Sequence, residues 1–265
     1  MPRSVNLGGV LAIDVGNTNV SFGFFQGKKL LKEWRLPTAS LHRPVSQRRL
    51  LAGLRPKRLS GIILCSVVPW ATKTLCERLK FSNPPPFYIL GQNLRCPIPN
   101  RYRRPRQVGQ DRLVNAYAVL RLYGAPAIIC DFGTAITIDL LSKKGEYLGG
   151  IICPGLKISL EALAEKTALL PKVTLKPPRQ LLGQETAETI RSGAFFGFAS
   201  LCDGLVERLR KTYGRNLPVV LTGGHSEMLS TYCHRINYTN KFLTLKGLNL
   251  LFQYVLSKKR EKSRK

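Results

Sequence analysis

Acidic residues are scarce in this chain of 265 residues, where 15 Asp and Glu stand against 42 Lys and Arg and the formal net charge is +27. The chain also lacks any uninterrupted apolar run near the roughly 20 residues that a membrane helix requires, so we expect no membrane span. Its 44% of hydrophobic residues is enough to bury a core, which argues against wholesale disorder. The length suits two modest domains or one large one.

The seven cysteines are odd in number and are never spaced as C-x-x-C. Neither a disulfide framework nor a zinc knuckle is therefore indicated. The first nine residues lack the long apolar stretch and cleavage site of a signal peptide. We expect reduced thiols and a cytoplasmic location.

The positive charge is spread over the whole chain, with a net +17 up to residue 123 and a net +10 beyond it. Basic residues cluster at 28–32, 48–58, 101–106 and 258–265, and the last cluster is typical of a frayed basic tail. A basic surface attracts anions of several kinds. A dedicated nucleic-acid site more often forms one basic stripe interleaved with aromatic residues, so we do not expect nucleic acid to be the partner.

Apolar runs and turn residues predict a series of strands and helices that restarts halfway along the chain. The predicted strands are 10–13, 20–25, 30–36, 61–66, 87–90, 127–130, 136–141, 147–152 and 217–221. The predicted helices are 44–54, 69–79, 109–122, 156–163, 186–213 (with an interruption) and 248–259.

The two halves of the chain look like copies of one pattern. Each opens with an apolar strand, an Asp-x-Gly-(Asn/Thr) turn, a second strand, a Lys/Gly turn and a third strand, and the two aspartates, Asp14 and Asp131, lie 117 residues apart. Strands followed by helices, twice over, predict two α/β domains with mixed sheets. We place the domains at 1–123 and 124–265.

An Asp-x-Gly turn between two strands is suited to holding phosphate. Glycine lets the backbone approach a ligand closely, amide N–H groups can bind phosphate oxygens, and the aspartate can hold a cation or its water shell. Each turn, taken alone, is as well explained as a plain hairpin turn. The repetition in matching context favours a phosphate-binding cleft. A third glycine site, 222–225, could accept an adenosine or could be an ordinary strand-to-helix turn.

These three segments carry a resemblance to a known superfamily. Segments 14–18 (Asp-Val-Gly-Asn-Thr), 131–135 (Asp-Phe-Gly-Thr-Ala) and 222–224 (Thr-Gly-Gly) resemble the two phosphate motifs and the adenosine motif of the acetate and sugar kinase/Hsc70/actin superfamily. The implied fold class is α/β, with two ribonuclease-H-like domains and a cleft between them.

A more particular resemblance is to the type III pantothenate kinases. Segment 109–112 (Gly-Gln-Asp-Arg) is similar to their pantothenate motif and 149–155 (Gly-Gly-Ile-Ile-Cys-Pro-Gly) to their dimer-interface motif. Segment 186–193 resembles the one whose first threonine reaches pantothenate. The motifs occur in family order from about residue 11 to residue 229.

The resemblance implies transfer of the γ-phosphoryl group of ATP to the hydroxyl of pantothenate, the first committed step toward coenzyme A. It further implies a homodimer with active sites at the subunit interface, a monovalent cation (K⁺ or NH₄⁺), and Mg²⁺ with ATP.

The resemblance also assigns individual residues. Asp111 would be the catalytic base, Asp131 would bind the monovalent cation and Asp14 would bind Mg²⁺ with ATP. The expected ATP-binding residues are Asp14, Val15, Gly16, Asn17, Thr18, Asn19, Val20, Ser21, Thr134, Gly223 and Gly224. The expected substrate-binding residues are Tyr102, Gly109, Gln110, Asp111, Arg112 and Thr186.

Elementary chemistry supports the roles implied for the residues that would act on pantothenate. Each of these residues also has a plainer structural interpretation. A primary alcohol is a poor nucleophile, so an aligned carboxylate such as Asp111 helps, but this aspartate could equally cap a helix. Arg112 could bind a carboxylate as a bidentate fork or be a solvated surface arginine. Tyr102 could line a pocket or be a half-buried loop residue, and Thr189 offers a second hydroxyl near Thr186.

Two other functions compete with a pantothenate kinase. One is another phosphotransferase of the same superfamily that acts on a sugar or an acid, which the 109–112 and 149–155 motifs disfavour. The other is a regulator of gene expression similar to Bvg accessory factor, since a fold does not determine function. The intact aspartates at 14, 111 and 131 favour the enzyme.

Overall fold

A computed structural model describes residues 8–52, 54 and 59–263, with Lys262 described in its backbone only. The basic residues Arg55, Lys57 and Arg58, residue 53 of the predicted helix 44–54, and the last two residues of the basic tail lie outside the described residues.

The first sheet has five strands in the order β3-β2-β1-β4-β5. The strands are β1 (Gly9–Val15), β2 (Asn19–Gln26), β3 (Lys29–Pro37), β4 (Leu59–Ser66) and β5 (Phe87–Ile89). The first three form an antiparallel meander, and β4 and β5 run parallel to β1. Gly27 has φ 58° in the turn from β2 to β3, a conformation that glycine adopts without steric cost. The predicted strands of the first half are all confirmed.

The second sheet repeats this arrangement strand for strand, in the order β10-β9-β6-β7-β8. Its strands are β6 (Ala127–Phe132), β7 (Ala135–Leu141), β8 (Tyr147–Pro154), β9 (Val219–Thr222) and β10 (Tyr238–Thr239). Again three strands form an antiparallel meander, and two further strands run parallel to the first. The internal repeat and the two mixed α/β sheets are thus confirmed. The two-residue β10 carries too little apolar pattern to be predicted.

The helices that the structure describes cover the sheets. They are α1 (Gln47–Leu50), α2 (Pro69–Arg78), α3 (Gln110–Leu122), α4 (Leu156–Lys166), α5 (Thr186–Tyr213), α6 (Ser226–Leu229) and α7 (Leu243–Lys262). Among these helices, none combines the length and the apolar character that crossing a bilayer requires.

Two helix predictions are wrong in extent. The helix expected over 44–54 is a single turn, because the side chain of Ser46 caps it and the chain leaves the helical conformation at Ala52 (φ 46°). The interruption expected within 186–213 is absent, since α5 runs unbroken for 28 residues. Its buried side chains, including Phe195 and Val206, pack into the core of the second sheet, and this packing outweighs the cost of its glycines.

The chain forms two compact units whose limits differ from the boundary expected at 123–124. The first unit contains the described residues of 1–98, 104–118 and 244–265, and the second contains 99–103 and 119–243. The C-terminal helix therefore belongs to the first unit. The reason is packing, since the ring of Phe252 lies against Gly61 of β4, and the side chain of Leu245 lies near Gly23 of β2.

A short segment, 99–103, lies in the sequence between the first two parts of the first unit but belongs to the second unit. Asn100 forms a β-bridge with Tyr147, and the Arg101 N–H donates to the Tyr147 carbonyl oxygen over 2.9 Å. The Arg101 guanidinium also donates to Glu146 Oε1 over 2.6 and 2.9 Å. These contacts attach 99–103 to the edge of the second sheet. No local sequence pattern predicts this attachment.

Truncation of Phe252 provides a test of where the C-terminal helix packs. Phe252 is fully buried, so we expect Phe252→Ala to lower the free energy of unfolding of the first unit by about 3–5 kcal/mol, since a cavity remains where the ring was. Urea denaturation measures the change. Tyr254→Ala, two residues along the same helix at a side chain that is 39% exposed, is the control, and an equal loss in both variants would contradict the packing.

Candidate active site

Asp14 is the second-to-last residue of β1, and the strand register places it in a polar row across the first sheet. It pairs with Ser21 of β2 and with Cys65 of β4, and Ser21 pairs with Arg35 of β3. Residues paired across neighbouring strands share a face of the sheet, so these four side chains lie on one face. The Cys65 thiol donates a hydrogen bond to Asp14 Oδ1 over 3.3 Å.

The electrostatic surroundings of Asp14 link it to a second motif. Its pKa is raised from 3.8 to about 7, first by burial and second by the negative charge of Asp111. The Cys65 thiol and the Arg35 guanidinium oppose this rise. Burial and the same two carboxyls raise the pKa of the Cys65 thiol well above its ordinary value, which keeps that thiol protonated. The structure therefore brings Asp14 and Asp111 into one site.

The turn after β1 exposes polar side chains between two buried valines. The Gly16 N–H donates to the Asn19 carbonyl oxygen over 3.0 Å. The Thr38 hydroxyl donates to the Gly16 carbonyl oxygen over 2.7 Å, and the Thr38 N–H donates to the Thr18 carbonyl oxygen over 2.9 Å. Asn17, Thr18 and Asn19 are exposed, whereas Val15 and Val20 are fully buried in the core. Only the backbones of those two valines could reach a nucleotide.

The segment 109–112 opens α3 beside the same sheet. A Cβ on Gly109 would meet Asp111 Oδ1, so a larger residue at this position would displace the carboxyl from its present place. The Gln110 side chain packs against Gly91. Asp111 lies in the first turn of the helix, where its Oδ1 accepts a hydrogen bond from the Arg112 N–H over 2.9 Å. Its negative charge there interacts favourably with the positive end of the helix dipole.

Arg112 is buried, with 8% of its surface exposed. The alternative of a solvated surface arginine is thus wrong for this residue. Its neighbour Asn115 is also buried and accepts a hydrogen bond from the Thr244 hydroxyl over 2.8 Å. A buried guanidinium on the residue that follows Asp111 is suited to holding an anionic group.

The second phosphate motif shares one hydrogen bond with the first, although its turn is one residue shorter. In both, the glycine N–H donates to the first residue of the following strand, here from Gly133 to the Ala135 carbonyl oxygen over 3.1 Å. A Cβ on Gly223, which has φ 99°, would stand 2.4 Å from Asp131 Oδ1 and 2.6 Å from the Phe132 carbonyl. The third glycine site therefore lies directly against the second phosphate motif. Neither an ordinary side chain nor an ordinary backbone conformation fits there.

The residues around Gly223 complete the second motif. The His225 N–H donates to the Phe132 carbonyl oxygen over 3.1 Å, and His225 occupies the N-cap position of α6. Gly224 is exposed beside it. A Cβ on Gly155 would stand 2.1 Å from the Thr134 carbonyl oxygen, so the last glycine of the 149–155 motif supports the turn that carries Thr134 within one chain.

Tyr102 and Thr186 both belong to the second unit. The Tyr102 ring lies about 3.5 Å from where a Cβ on Gly149 would stand, and Gly149 has φ 134°. Thr186 is exposed at the first position of α5. The Thr189 hydroxyl donates to backbone carbonyl oxygens of 183 and 185, so Thr186 is the better placed of the two for a ligand.

The carboxyls at the two motifs can be compared with the ligands that Mg²⁺ and a monovalent cation require. Asp14 and Asp111 supply two neighbouring carboxyls, and Mg²⁺ commonly takes one or two carboxylates together with substrate phosphates. The described residues contain no group of three or more His, Cys, Asp and Glu arranged to hold a metal without such phosphates. Asp131 lies in a cradle that a Cβ at Gly223 or Gly133 would fill. Both donor sets fit hard cations.

Cys65 and Thr38 are the neighbours of the motifs that sequence reasoning missed. Cys65 is the second-to-last residue of a predicted buried strand. Parallel pairing with β1 places it beside Asp14, but that pairing has no local signal in the sequence. Thr38 follows a meander strand and reaches back 22 residues to Gly16. Both contacts exist only once the strands are assembled.

Solved structures show the class of protein. A Baf family protein from Campylobacter jejuni covers 93% of this chain and 99% of its own, with a TM-score of 0.59 and 21% identity. An archaeal actin homologue likewise covers 93% and 99%, with a TM-score of 0.53 and 11% identity. With the repeated sheets and paired Asp-x-Gly turns, these likenesses establish the fold of the acetate and sugar kinase/Hsc70/actin superfamily.

Sequence relatives narrow the class to one family. A model of type III pantothenate kinase matches residues 10–208. The type III pantothenate kinase of Halalkalibacterium halodurans is 37% identical over 253 residues, covering 92% of this chain and 98% of the relative. That of Moorella thermoacetica is 39% identical over 252 residues, with the same coverage. The chain belongs to the type III pantothenate kinase family.

The raised pKa of Asp14 predicts a pH-dependent loss of stability. Asp14 holds its proton up to about pH 7 when folded but loses it near pH 3.8 when unfolded, so the free protein loses stability as pH rises through this window. Asp14→Asn has no such proton to lose. We expect its free energy of unfolding, relative to the natural chain, to rise by about 2–4 kcal/mol from pH 4 to pH 8.

Urea denaturation without nucleotide or divalent cations measures this difference. Glu77→Gln, at an exposed acid on α2, is the control and should differ from the natural chain by a constant amount. Parallel stability curves for Asp14→Asn and the natural chain would contradict the assignment.

Proposed function

We propose that this kinase transfers the γ-phosphoryl group of ATP to the primary hydroxyl of pantothenate. The observation that carries the proposal is the joining of Asp14, from the first phosphate motif, to the Asp111 and Arg112 pair of the pantothenate motif within one unit. The names of the relatives supply the acceptor, since both are type III pantothenate kinases.

In the proposed reaction, Asp111 accepts the proton of the pantothenate hydroxyl. The hydroxyl oxygen forms a bond to the γ-phosphorus while the bond between that phosphorus and the β–γ bridging oxygen breaks, which releases ADP. Phosphoryl transfer asks the protein mainly for positioning and charge neutralisation. The Arg112 guanidinium binds the pantothenate carboxylate, while Tyr102 and Thr186 contact the same substrate.

The two turns bind ATP and its cations in this proposal. The exposed side chains of Asn17 and Thr18, with the N–H groups of the first turn, hold the transferred phosphate, and Thr134 holds another. Gly223 and Gly224 present backbone to the adenosine. Bound Mg²⁺ supplies charge neutralisation at the phosphates, and Asp14 holds it. Asp131 holds a monovalent cation, K⁺ or NH₄⁺.

Replacement of Asp111 tests the reaction. We expect Asp111→Asn to lower kcat for pantothenate phosphorylation by about 10²–10⁴-fold, because the acceptor loses its base, and to leave the melting temperature near that of the natural chain. Formation of phosphopantothenate from ATP, measured with K⁺, NH₄⁺ or Na⁺ as the monovalent cation, is the assay.

Glu77→Gln again serves as the control and should keep full activity. Turnover of Asp111→Asn at the rate of the natural chain would exclude Asp111 as the base. A natural chain that phosphorylates a sugar or another acid, but not pantothenate, would overturn the acceptor.

We also propose that the enzyme is a homodimer in the cytoplasm. The second unit exposes large apolar side chains, and one of them, Ile152, belongs to the 149–155 motif expected at a dimer interface. Ile152 is 63% exposed, Leu169 90%, Leu181 62% and Leu182 81%. The Ser192 hydroxyl donates to the Leu181 carbonyl oxygen and so holds the loop that presents two of them. Exposed apolar side chains in such number favour an interface between copies.

A charge placed on this surface tests the dimer. We expect Leu182→Glu to shift the protein from dimer to monomer, because a carboxylate would be buried without a partner in the interface. Light scattering during size-exclusion chromatography measures the mass. Leu31→Glu, at a 46% exposed leucine of the first unit, should stay dimeric. A natural chain that elutes as a monomer would contradict the proposal.

A further inference from the structure

Cys65 contacts Asp14 but has no role of its own in the proposed reaction. It is fully buried at the second-to-last position of β4, and its thiol donates to Asp14 Oδ1 over 3.3 Å. Strand register, rather than a flexible loop, determines this contact, since Asp14 and Cys65 are paired residues of neighbouring parallel strands. The thiol therefore has a defined place beside the carboxyl.

The carboxyl of Asp14 is drawn in different directions by its other neighbours. Arg35 attracts it from β3, which lies on the opposite side of β1 from Cys65. Asp111 repels it from the start of α3. These two charges act through space and do not by themselves specify one rotation of the carboxyl. The hydrogen bond from Cys65 on β4 is directional.

We propose that Cys65 is a positioning residue that orients the Asp14 carboxylate for Mg²⁺·ATP. This inference rests on the proposed function and deepens it. The S–H group engages Oδ1 from β4 and opposes the pull of Arg35, so the carboxylate keeps the rotation that serves the phosphates. A serine hydroxyl can make the same bond, whereas an alanine methyl cannot, which separates donation from packing.

Binding and kinetics of two variants test the proposal. We expect Cys65→Ala to weaken the affinity for a non-hydrolysable ATP analogue about tenfold in the presence of Mg²⁺, with little change in its absence. The kcat for pantothenate phosphorylation should fall about tenfold, and KM for pantothenate should stay unchanged. Cys65→Ser should remain within about twofold of the natural chain in every measurement.

The control is Cys76→Ala, which removes a partly buried thiol from α2 of the same unit and should change nothing. Isothermal titration calorimetry gives the affinities, and thermal melting reports any loss of fold. If Cys65→Ala fails to fold, Cys65→Ser still decides, because it differs from the natural residue only in the donor atom.

The proposal is overturned if Cys65→Ala binds the Mg²⁺·analogue and turns over as the natural chain does. It is also overturned if Cys65→Ser is as impaired as Cys65→Ala, or if both variants lose affinity equally with and without Mg²⁺. A natural chain that binds the analogue but does not phosphorylate pantothenate would refute the proposed acceptor alone. The binding comparison would then still test the role of Cys65.

Discussion

The first strand of each sheet is buried along its whole length except at one residue. The packing of helices against the sheets depends on that burial. β1 and β6 each lie between an antiparallel and a parallel neighbour, and the partly exposed residue is in each case the aspartate one position before the strand ends. A strand whose side chains are buried on both faces of its sheet needs packing partners on both faces. In the first unit this requirement brings α7 back from the far end of the sequence, with Phe252 lying on Gly61.

A carboxyl at the end of such a strand is costly to ionise, and this cost links stability to function. Neighbouring residues largely desolvate the Asp14 carboxyl, which also interacts with the charge of Asp111, so its pKa rises toward neutrality. The free protein would be more stable without this charge, and a bound cation with phosphates is what would compensate it. Active sites commonly hold groups whose pKa is perturbed in this way.

The net charge of +27 is consistent with the binding of small anions. The acceptor and the donor proposed here are both anions, and a basic field assists their capture. Only four acidic residues precede residue 124, and two of them, Asp14 and Asp111, interact at one site. In a chain so poor in carboxylates, two that repel each other at one site point to a function more clearly than the excess of cations does.

The sequence by itself determined nine of the ten described strands, the repeat, both Asp-x-Gly turns and the family, because these depend on alternation, turn chemistry and motifs that are local in the chain. The strand Gly9–Val15 and the turn that follows it need no distant partner to be predicted. The tertiary structure alone decided that α7 joins the first unit, that 99–103 joins the second and that Arg112 is buried. It also placed Cys65 on Asp14 and Gly223 against Asp131. These contacts join residues 45 to 222 positions apart, and the burial of Arg112 likewise depends on distant parts of the chain. Such features arise only when strands pair and helices pack.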